Sequence, residues 1–379
     1  AIPSAPYVVS RPAKSARMVG PHRNLTIVQL EWGCSLIQGG IVNLFETLDL
    51  RLRLPVVGSP MFIASGPELV TAQCQSGIIG GFPTLNARPA SMLADWFAEI
   101  TESNANWTAA HPERPAAPFA ANLIVHRSNN RLEADLAEVV RHEVPIVITS
   151  LGAREEVNEA VHSYGGGVLH HVINNRLAHQ AGGKGADGII AVAAGAGGHA
   201  GALSPFALVQ EIRSWFDGPL LLSGAIAHGQ SILAALAAGA DFAYIGSAFL
   251  STHEANVVDE YRQMIVDSVA DDVVYSNYFT GVKGNYLRGS IVAAGLDPDA
   301  LPEADPTKMD FGTDPESGTS AKAWKDIWGS GQGIGALGLQ CSTADLVDRL
   351  VGEYEAAQAQ LRTRLARTQS APTQAAGTL

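Results

Sequence analysis

The sequence predicts an α/β fold in which a (β/α)8 TIM barrel carries a cap over the carboxyl ends of its strands. Two features of the sequence lead to this prediction. Eight short runs of apolar or β-branched residues recur along the chain, and longer segments with helical spacing and polar outer faces separate them. Buried strands that alternate with helices pair in parallel through crossovers, and eight such units close a barrel.

Each apolar run is short enough for one barrel strand and ends at small or polar residues. In chain order the eight predicted strands are 55–61, 77–82, 119–125, 145–150, 166–172, 188–194, 219–225 and 242–249. Helical spacing is clearest over 129–143 and 205–216. An open, doubly wound sheet is the alternative. Its G-x-G-x-x-G dinucleotide signature does not follow the first run, where the sequence reads GSPMFIASG.

The regions outside the predicted strands differ in composition from the barrel. The segment DDVVYSNYFTGVKGNYLRGSI is longer and richer in tyrosine than a bare barrel needs, and the last residues are small, polar and aperiodic. The predicted regions are an N-terminal extension (1–50), a barrel core (51–262), a cap that contacts substrate (263–340), a C-terminal helix (341–366) and a flexible tail (367–379).

The composition argues against several classes of function. Acidic residues outnumber basic ones by 37 to 25, and no basic stripe with interleaved aromatic residues is present, which argues against a nucleic-acid surface. The three cysteines lie far apart without a C-x-x-C pair, so we expect no structural zinc site, no disulfide framework and no metal. No apolar run is long enough to span a bilayer. We expect a cytoplasmic protein that binds small molecules and neither nucleic acid nor membranes.

Unusual residues fall at the carboxyl ends of the predicted strands, where barrel enzymes carry their chemistry. They are Pro60 and Met61 after the first strand, Asn122 in the third, Thr149 at the end of the fourth, and His170 and His171 near the end of the fifth. Strand alternation sends one of the two adjacent histidines inward, and the sequence leaves open which one.

The sixth strand runs into the stretch AAGAGGHAG, which includes Gly197, Gly198 and His199. Glycine and alanine let a backbone approach a flat ligand closely, and His199 is then the one side chain left to face it. Imidazole can donate to an anionic oxygen or take a proton near pH 7. The alternative is that His199 stabilises its own loop by bonding a carbonyl group.

The last two strands end in turns that suit a phosphate group. Ser223, Gly224 and Ala225 end the seventh strand, and Gly246 and Ser247 end the eighth. Barrels often bind phosphate between these loops, and the N-terminus of the helix that begins near residue 229 would add free amide groups. The alternative is that both glycines only form tight turns.

These segments, in this order, resemble the FMN-dependent nitronate monooxygenases, formerly called 2-nitropropane dioxygenases. The resemblance spans about residues 50–340. It is carried by GSPMFIASGPELVTAQCQSGIIGGF, AANLIV, VLHHV, AAGAGGHAGALSPFALVQEIR and LLSGAIAHGQSILAALAAGADFAYIGSAFLSTHEA. It implies bound FMN and the oxidation of alkyl nitronates, and of nitroalkanes as a further substrate class, by O2 to a carbonyl compound and nitrite.

The resemblance also implies roles for individual residues. It puts the flavin ring against the backbone of 60–62 and aligns the strand-five histidine of characterised monooxygenases with His170. His170 would orient the nitronate or deprotonate a neutral nitroalkane, and His199 would offset negative charge. The implied cofactor contacts are Pro60, Met61, Phe62, Asn122, Thr149, Gly197, Gly198, Ser223, Gly224, Ala225, Gly246, Ser247 and, in the segment KAWKDIWGSGQGIG, Gln332.

The resemblance defines the cofactor better than the reaction, because one fold hosts different chemistries. NAD(P)H-dependent flavin reductases that act on an enoyl thioester or a quinone share the same skeleton, and a flavin-binding barrel without catalysis is a further alternative. In the cap, Tyr275, Tyr278, Thr280 and Asn285 are candidates for substrate contact or for ordinary packing. The expected partners are an alkyl nitronate and O2, with a homodimer as a further expectation.

Overall fold

The computed structural model describes residues 51–304 and 326–369. The predicted N-terminal extension (1–50), residues 305–325 of the predicted cap and residues 370–379 of the predicted tail lie outside the described residues. No helix in the described part of the chain is long and apolar enough to cross a membrane.

The described residues form eleven strands. They are β1 (Val56–Gly58), β2 (Gly80–Pro83), β3 (Phe119–Ile124), β4 (Ile146–Ser150), β5 (Gly167–Val172), β6 (Gly188–Val192), β7 (Gly198–His199), β8 (Leu220–Ser223), β9 (Phe242–Ile245), β10 (Val273–Ser276) and β11 (Gly284–Leu287). Eight of them make one parallel sheet in the order β1-β9-β8-β6-β5-β4-β3-β2. A bridge between Val57 and Ile79 joins β1 to β2. The sheet therefore closes into a barrel, and the predicted fold class is confirmed.

Ten α-helices lie in the described part of the chain. They are α1 (Pro67–Gln75), α2 (Met92–Ala110), α3 (Leu132–Arg141), α4 (Glu155–His162), α5 (Asn175–Gly183), α6 (Pro205–Arg213), α7 (Gly229–Ala238), α8 (Asp259–Asp267), α9 (Arg288–Ala293) and α10 (Thr343–Gln369). Helices α1 to α7 each follow a barrel strand, as the alternation of apolar runs and amphipathic segments predicts. Such crossovers are what make the strands parallel.

Side chains alternate between the inside of the barrel and the layer of helices around it. The inner cluster includes Val57, Ile79, Ala120, Ile148, Leu169, Ile190, Leu221 and Phe242. Their neighbours along the strands, such as Val168 and Val172, pack instead with the helices. Because the side-chain period of a strand is two, this pattern decides which residues face inward at the barrel mouth.

A second sheet, in the order β10-β11-β7, is antiparallel and joins the cap to the loop after β6. Gly284 of β11 pairs with His199, and Asn285 pairs with Gly198. The sequence does not predict this pairing, because the two residues of β7 are too few to show a strand pattern of their own.

Several predicted strands are longer than the observed ones, including 55–61, observed as Val56–Gly58, and 242–249, observed as Phe242–Ile245. Two of the differences have a clear local reason. The predicted second strand begins at residue 77, but Gly77 has φ +86° and the amide of Ile78 bonds the carbonyl of Gln73, so both residues end α1. The predicted sixth strand extends to residue 194. There the amide of Ala194 bonds the carbonyl of Leu203, outside the barrel ladder, and the chain turns toward β7.

Candidate active site

A cavity of about 1580 Å³ opens at the carboxyl ends of the barrel strands. Ligand pockets usually measure roughly 300 to 1,000 Å³, so this cavity has room for more than one small molecule. The predicted site residues that line it are Pro60, Met61, Phe62, Asn122, His170, Gly197, Gly198, His199, Ser223, Gly224, Ala225, Gly246 and Ser247. Thr149 and Gln332 do not line it. Thr149 hydrogen-bonds to His170, and it is His170 that lines the cavity. Gly331 and Gly333, the two neighbours of Gln332 in the chain, line the cavity in place of Gln332.

The loop after β1 is fixed by a side chain from a neighbouring loop. Asn86 Nδ2 donates to the carbonyl oxygens of Met61 and Ser65, at 2.9 and 2.7 Å, and its Oδ1 accepts from the amide of Ile63 at 2.9 Å. The Met61 amide donates to Ser65 Oγ at 3.0 Å. Ile63 has φ +67°, a conformation that β-branched residues rarely adopt and that clusters at functional sites. These hydrogen bonds hold the loop in one conformation beside the barrel mouth.

Asn122 supplies a fixed polar group on β3, which is two strands away from β1 around the mouth. Its Nδ2 donates to the carbonyl of Ile148 at 2.9 Å and to Ser150 Oγ at 3.1 Å. Both bonds use the amide nitrogen, and Asn122 lines the cavity, so Oδ1 is the atom that can accept a hydrogen bond from a ligand.

The structure answers the question that the sequence left open about the adjacent histidines of β5. Leu169 packs inside the barrel, whereas Val168 and Val172 pack against the helices. Strand alternation therefore turns His171 inward and His170 outward. Both line the cavity, His171 at the barrel interior and His170 on the side toward α5.

His170 is held by Thr149, whose Oγ1 lies 2.6 Å from its Nδ1. His170 is 5% exposed, and burial together with the nearby charge of Lys184 lowers its pKa to about 4. The ring is thus neutral at pH 7, with Nε2 as the nitrogen accessible from the cavity. Thr149 acts on this ring and does not contact the cavity itself, in contrast to the direct cofactor contact expected for it.

His199 lies on β7 and is held from the cap. Its Nε2 is 3.1 Å from Thr280 Oγ1, which also lies 3.1 Å from the carbonyl oxygen of Val282. The tautomer of the ring decides which of the two atoms donates, and when the threonine hydroxyl donates to Nε2 the neutral ring carries its hydrogen on Nδ1. Burial lowers the pKa of His199 to about 4. The imidazole is neutral at pH 7, so it would offset negative charge by hydrogen bonding and not by a positive charge of its own.

The glycines of the loop after β6 allow close contact with another part of the chain. The carbonyl of Gly195 accepts from the amide of Gln332 at 2.9 Å. A Cβ atom on Gly197 would lie 2.8 Å from the amide nitrogen of Gly331 and 2.8 Å from Ser247 Oγ. Real Cβ contacts are essentially never that short, so Gly197 is required by the protein's own packing. From the sequence alone, the missing side chains indicated only the close approach of a flat ligand.

The turns after β8 and β9 lie side by side, because the two strands are neighbours in the barrel. Gly224 has φ +141° and Ala225 has φ +54°, which turns the backbone sharply at the end of β8. Among the described residues, the amides of Gly224, Gly246 and Ser247 have no hydrogen-bond acceptor. Backbone N–H groups in this arrangement suit an anion.

The N-terminus of α7 does not contribute to this anion site, so the prediction that its amides would do so is wrong. The amide of Gly229 donates to Glu353 Oε2 at 2.9 Å, and the amide of Gln230 donates to His228 Nδ1 at 3.1 Å. His228 Nε2 also lies 3.3 Å from Glu353 Oε1. A carboxylate from α10 thus caps the helix where a phosphate was expected.

Comparison with known proteins places this barrel in a family. A family model described as nitronate monooxygenase matches residues 49–353, most of the chain. The chain belongs to the nitronate monooxygenase family. As a member of that family it is a flavin-dependent oxidoreductase.

The similar proteins agree with membership of the nitronate monooxygenase family. A nitronate monooxygenase of Paraburkholderia phytofirmans is 26% identical over 352 residues, which are 83% of this chain and 95% of that protein. The structure of a nitroalkane oxidase from Streptomyces ansochromogenes matches with a TM-score of 0.70 and 23% identity, over 83% of this chain and 99% of that one. FabK from Thermotoga maritima matches with a TM-score of 0.67 and 20% identity, over 86% and 100%. The two structures show a shared fold.

In this member of the nitronate monooxygenase family, the cap side chains mainly support the loop after β6. Asn285 donates to the carbonyl of Ala196 at 2.6 Å, and Thr280 holds the loop histidine as described above. Tyr275 lines the cavity and donates to a carbonyl of the same loop at 3.0 Å, whereas Tyr278 does not line it. Of the four cap candidates, Tyr275 is therefore the one placed to touch a ligand.

Tyr244 and Lys184 line the cavity of this family member but were not singled out from the sequence, and His171 was singled out there without an assigned role. His171 and Tyr244 form a hydrogen-bonded pair of 2.8 Å at the barrel interior, and Lys184 lines the cavity beside α5. Alternation from Leu169 and Phe242 would have placed the first two inward. Lys184 has no such signal, since it follows α5. The described residues contain no cluster of His, Cys, Asp and Glu that could hold a metal ion.

Proposed function

We propose that this chain binds FMN at the barrel mouth and oxidises alkyl nitronates with O2 to a carbonyl compound and nitrite. The observation that carries the proposal is the pair of neighbouring turns after β8 and β9, whose open amides lie at one corner of a large cavity lined by the predicted residues. Family membership makes nitronates the substrate class to test first.

The residues present fit FMN in size and in donor set. A Cβ atom on Gly246 would meet no backbone atom closely, its nearest neighbour being Ser59 Cβ at 3.3 Å, so that turn has space beside it. The amides of Gly224, Gly246 and Ser247 can hold the phosphate, and the Asn122 Oδ1 can accept from a ring N–H. The loop after β1, held by Asn86, offers a surface against which the ring can lie.

Bound flavin supplies the redox chemistry, and the chain positions the substrate against it. His199, held by Thr280, is placed to hydrogen-bond the nitronate oxygens, and His170 Nε2 faces the same cavity from the side of α5. A nitronate is an anion, and Lys184 gives this wall a positive charge.

We expect a preformed nitronate to be a better substrate than its parent nitroalkane, with kcat/KM higher by at least about 100-fold at pH 7. A neutral nitroalkane must first lose a proton, and histidines whose pKa is lowered to about 4 are much weaker bases than free imidazole. Because the lowered pKa lies well below 7, both rings stay neutral from about pH 5 upward. Initial rates of nitrite release with both forms of one compound measure the ratio.

The variant His170→Asn tests whether His170 is the base that deprotonates the nitroalkane. It removes the ring nitrogen that faces the cavity and should lower turnover of the nitroalkane more than turnover of the nitronate. Equal losses on both substrates would remove His170 from the role of base. Equal rates of the unmodified protein on both forms would contradict the expected ratio.

A second candidate function is the NAD(P)H-dependent reduction of an enoyl thioester or a quinone. The size of the cavity favours it, since FMN and a small nitronate do not require 1580 Å³, and apolar side chains such as Ile173, Leu177 and Leu203 line the remainder. Nitrite release and O2 uptake with a panel of alkyl nitronates test the first function. Rapid anaerobic bleaching of the flavin by NADH or NADPH, without nitrite release from nitronates, would favour the second.

A further inference from the structure

A pair of polar side chains crosses the interior of the barrel beneath the cavity. Tyr244 OH lies 2.8 Å from His171 Nε2, and the rings meet edge to face with centroids 5.3 Å apart at 82°. Their strands, β9 and β5, are not neighbours, since β8 and β6 lie between them. Tyr244 is 3% exposed, and both residues line the cavity. None of the roles assigned above uses this pair.

The hydrogen bonds around the pair favour one arrangement of protons. Burial raises the pKa of Tyr244 and lowers that of His171 to about 3, so both groups are neutral at pH 7. A phenol is a stronger acid than a neutral imidazole, so the Tyr244 O–H donates to His171 Nε2. A neutral imidazole that accepts at Nε2 carries its hydrogen on Nδ1. That Nδ1 is accessible from the cavity.

Tyr244, one member of the pair, lies on β9 just before the turns that are proposed to hold the phosphate. Tyr244 is paired in register with Ser223, and it precedes Gly246 by two positions on the same strand. A flavin whose phosphate is held by the turns after β8 and β9 must extend its ribityl chain and ring across the mouth from that corner. The barrel interior below it is where His171 presents its N–H group.

We propose that Tyr244 and His171 form a polar floor under the flavin, in which His171 Nδ1–H donates a hydrogen bond to the cofactor and Tyr244 positions that donor by fixing its tautomer. This inference rests on the FMN site proposed above. Reduced flavin carries more negative charge than oxidised flavin, and a neutral donor in a buried site stabilises the more negative state. The floor should therefore raise the midpoint potential of the bound flavin.

The test is the midpoint potential of the flavin in the holoenzyme, measured by equilibration with a reference dye. Tyr244→Phe removes only the hydroxyl, and His171→Leu removes the donor. Both should shift the potential to more negative values, and the double variant should match His171→Leu, because the tyrosine acts through the histidine. Tyr354→Phe, in α10 and off the cavity wall, is the matched control and should leave the potential unchanged.

An unchanged potential in Tyr244→Phe, or shifts that add in the double variant, would overturn the inference. Tyr244→Phe keeps the ring and its packing, so the test remains decisive if His171→Leu does not fold. Nitrite release by the unmodified protein is measured in parallel. Shifted potentials without nitrite release would refute the proposed reaction and support the floor, whereas nitrite release with unshifted potentials would refute the floor alone. Absence of flavin binding would refute both.

Discussion

Replacing His199 by leucine is expected to lower kcat/KM for an alkyl nitronate by about 100- to 1,000-fold, the usual effect of removing one well-placed donor from a buried site. His199 lines the cavity and is held by Thr280 at 3.1 Å, so its position is set before substrate binds. Leucine has a similar volume and no hydrogen-bonding group. Steady-state nitrite release, with flavin content measured on the same sample, gives the effect.

His179→Leu provides the control for this substitution. His179 stacks on Trp215 at a centroid distance of 3.7 Å and does not line the cavity. The same change of residue type there should leave nitronate turnover within a few-fold of the unmodified protein. If His199→Leu retained comparable activity with full flavin content, His199 would be a residue that only stabilises its loop.

Replacing Gly197 by alanine is expected to weaken FMN binding by roughly 30-fold or more. The added methyl group would lie 2.8 Å from both Ser247 Oγ and the Gly331 amide, which are themselves joined by a hydrogen bond of 2.8 Å. Overpacking costs about 1 to 3 kcal/mol and a lost buried hydrogen bond about 1 kcal/mol, and each 1.4 kcal/mol of binding energy is about tenfold in affinity. Ser247 also belongs to the proposed phosphate site, so a displacement of Ser247 would disturb the contact with the cofactor's phosphate directly.

Gly66→Ala is the matched control for the Gly197 prediction. A Cβ atom on Gly66 would meet nothing within 4 Å, and its backbone is extended with φ −131°. FMN affinity of this variant should equal that of the unmodified protein. Fluorescence titration of the apoprotein measures affinity, and thermal unfolding shows whether either variant has lost its fold. Unchanged FMN affinity in Gly197→Ala would mean that the loop after β6 can move without disturbing the cofactor.

The barrel was predictable from the sequence because its signals are local. Each strand is a short apolar run, and each helix carries its own periodicity. The alternation of strands and helices can therefore be recognised without knowing which segments pack against each other. The antiparallel sheet was not predictable in this way. The pairing of Gly198 and His199 with Gly284 and Asn285 is decided by the packing of the cap, and glycine-rich segments carry no strand preference of their own.

Most of the predicted site residues line one cavity, because the carboxyl ends of parallel strands must meet at one end of a barrel. One prediction was wrong because a distant segment of the chain supplies the hydrogen-bond partner. Glu353, 124 positions away from Gly229, occupies the helix terminus that was expected to bind phosphate. Thr149 points with His170 toward the helices, and the one-position choice between that histidine and His171 depended on a register that only the barrel interior reveals.

The central claim is that the turns after β8 and β9 hold the phosphate of FMN. Its most direct test is a comparison of the affinities of the apoprotein for FMN and for riboflavin, which lacks the phosphate. Hydrogen bonds to a charged group contribute about 1.5 to 3 kcal/mol each, so at least two of them should make FMN bind about 100-fold or more tightly than riboflavin. Equal dissociation constants for the two flavins, or no binding of either, would contradict the account.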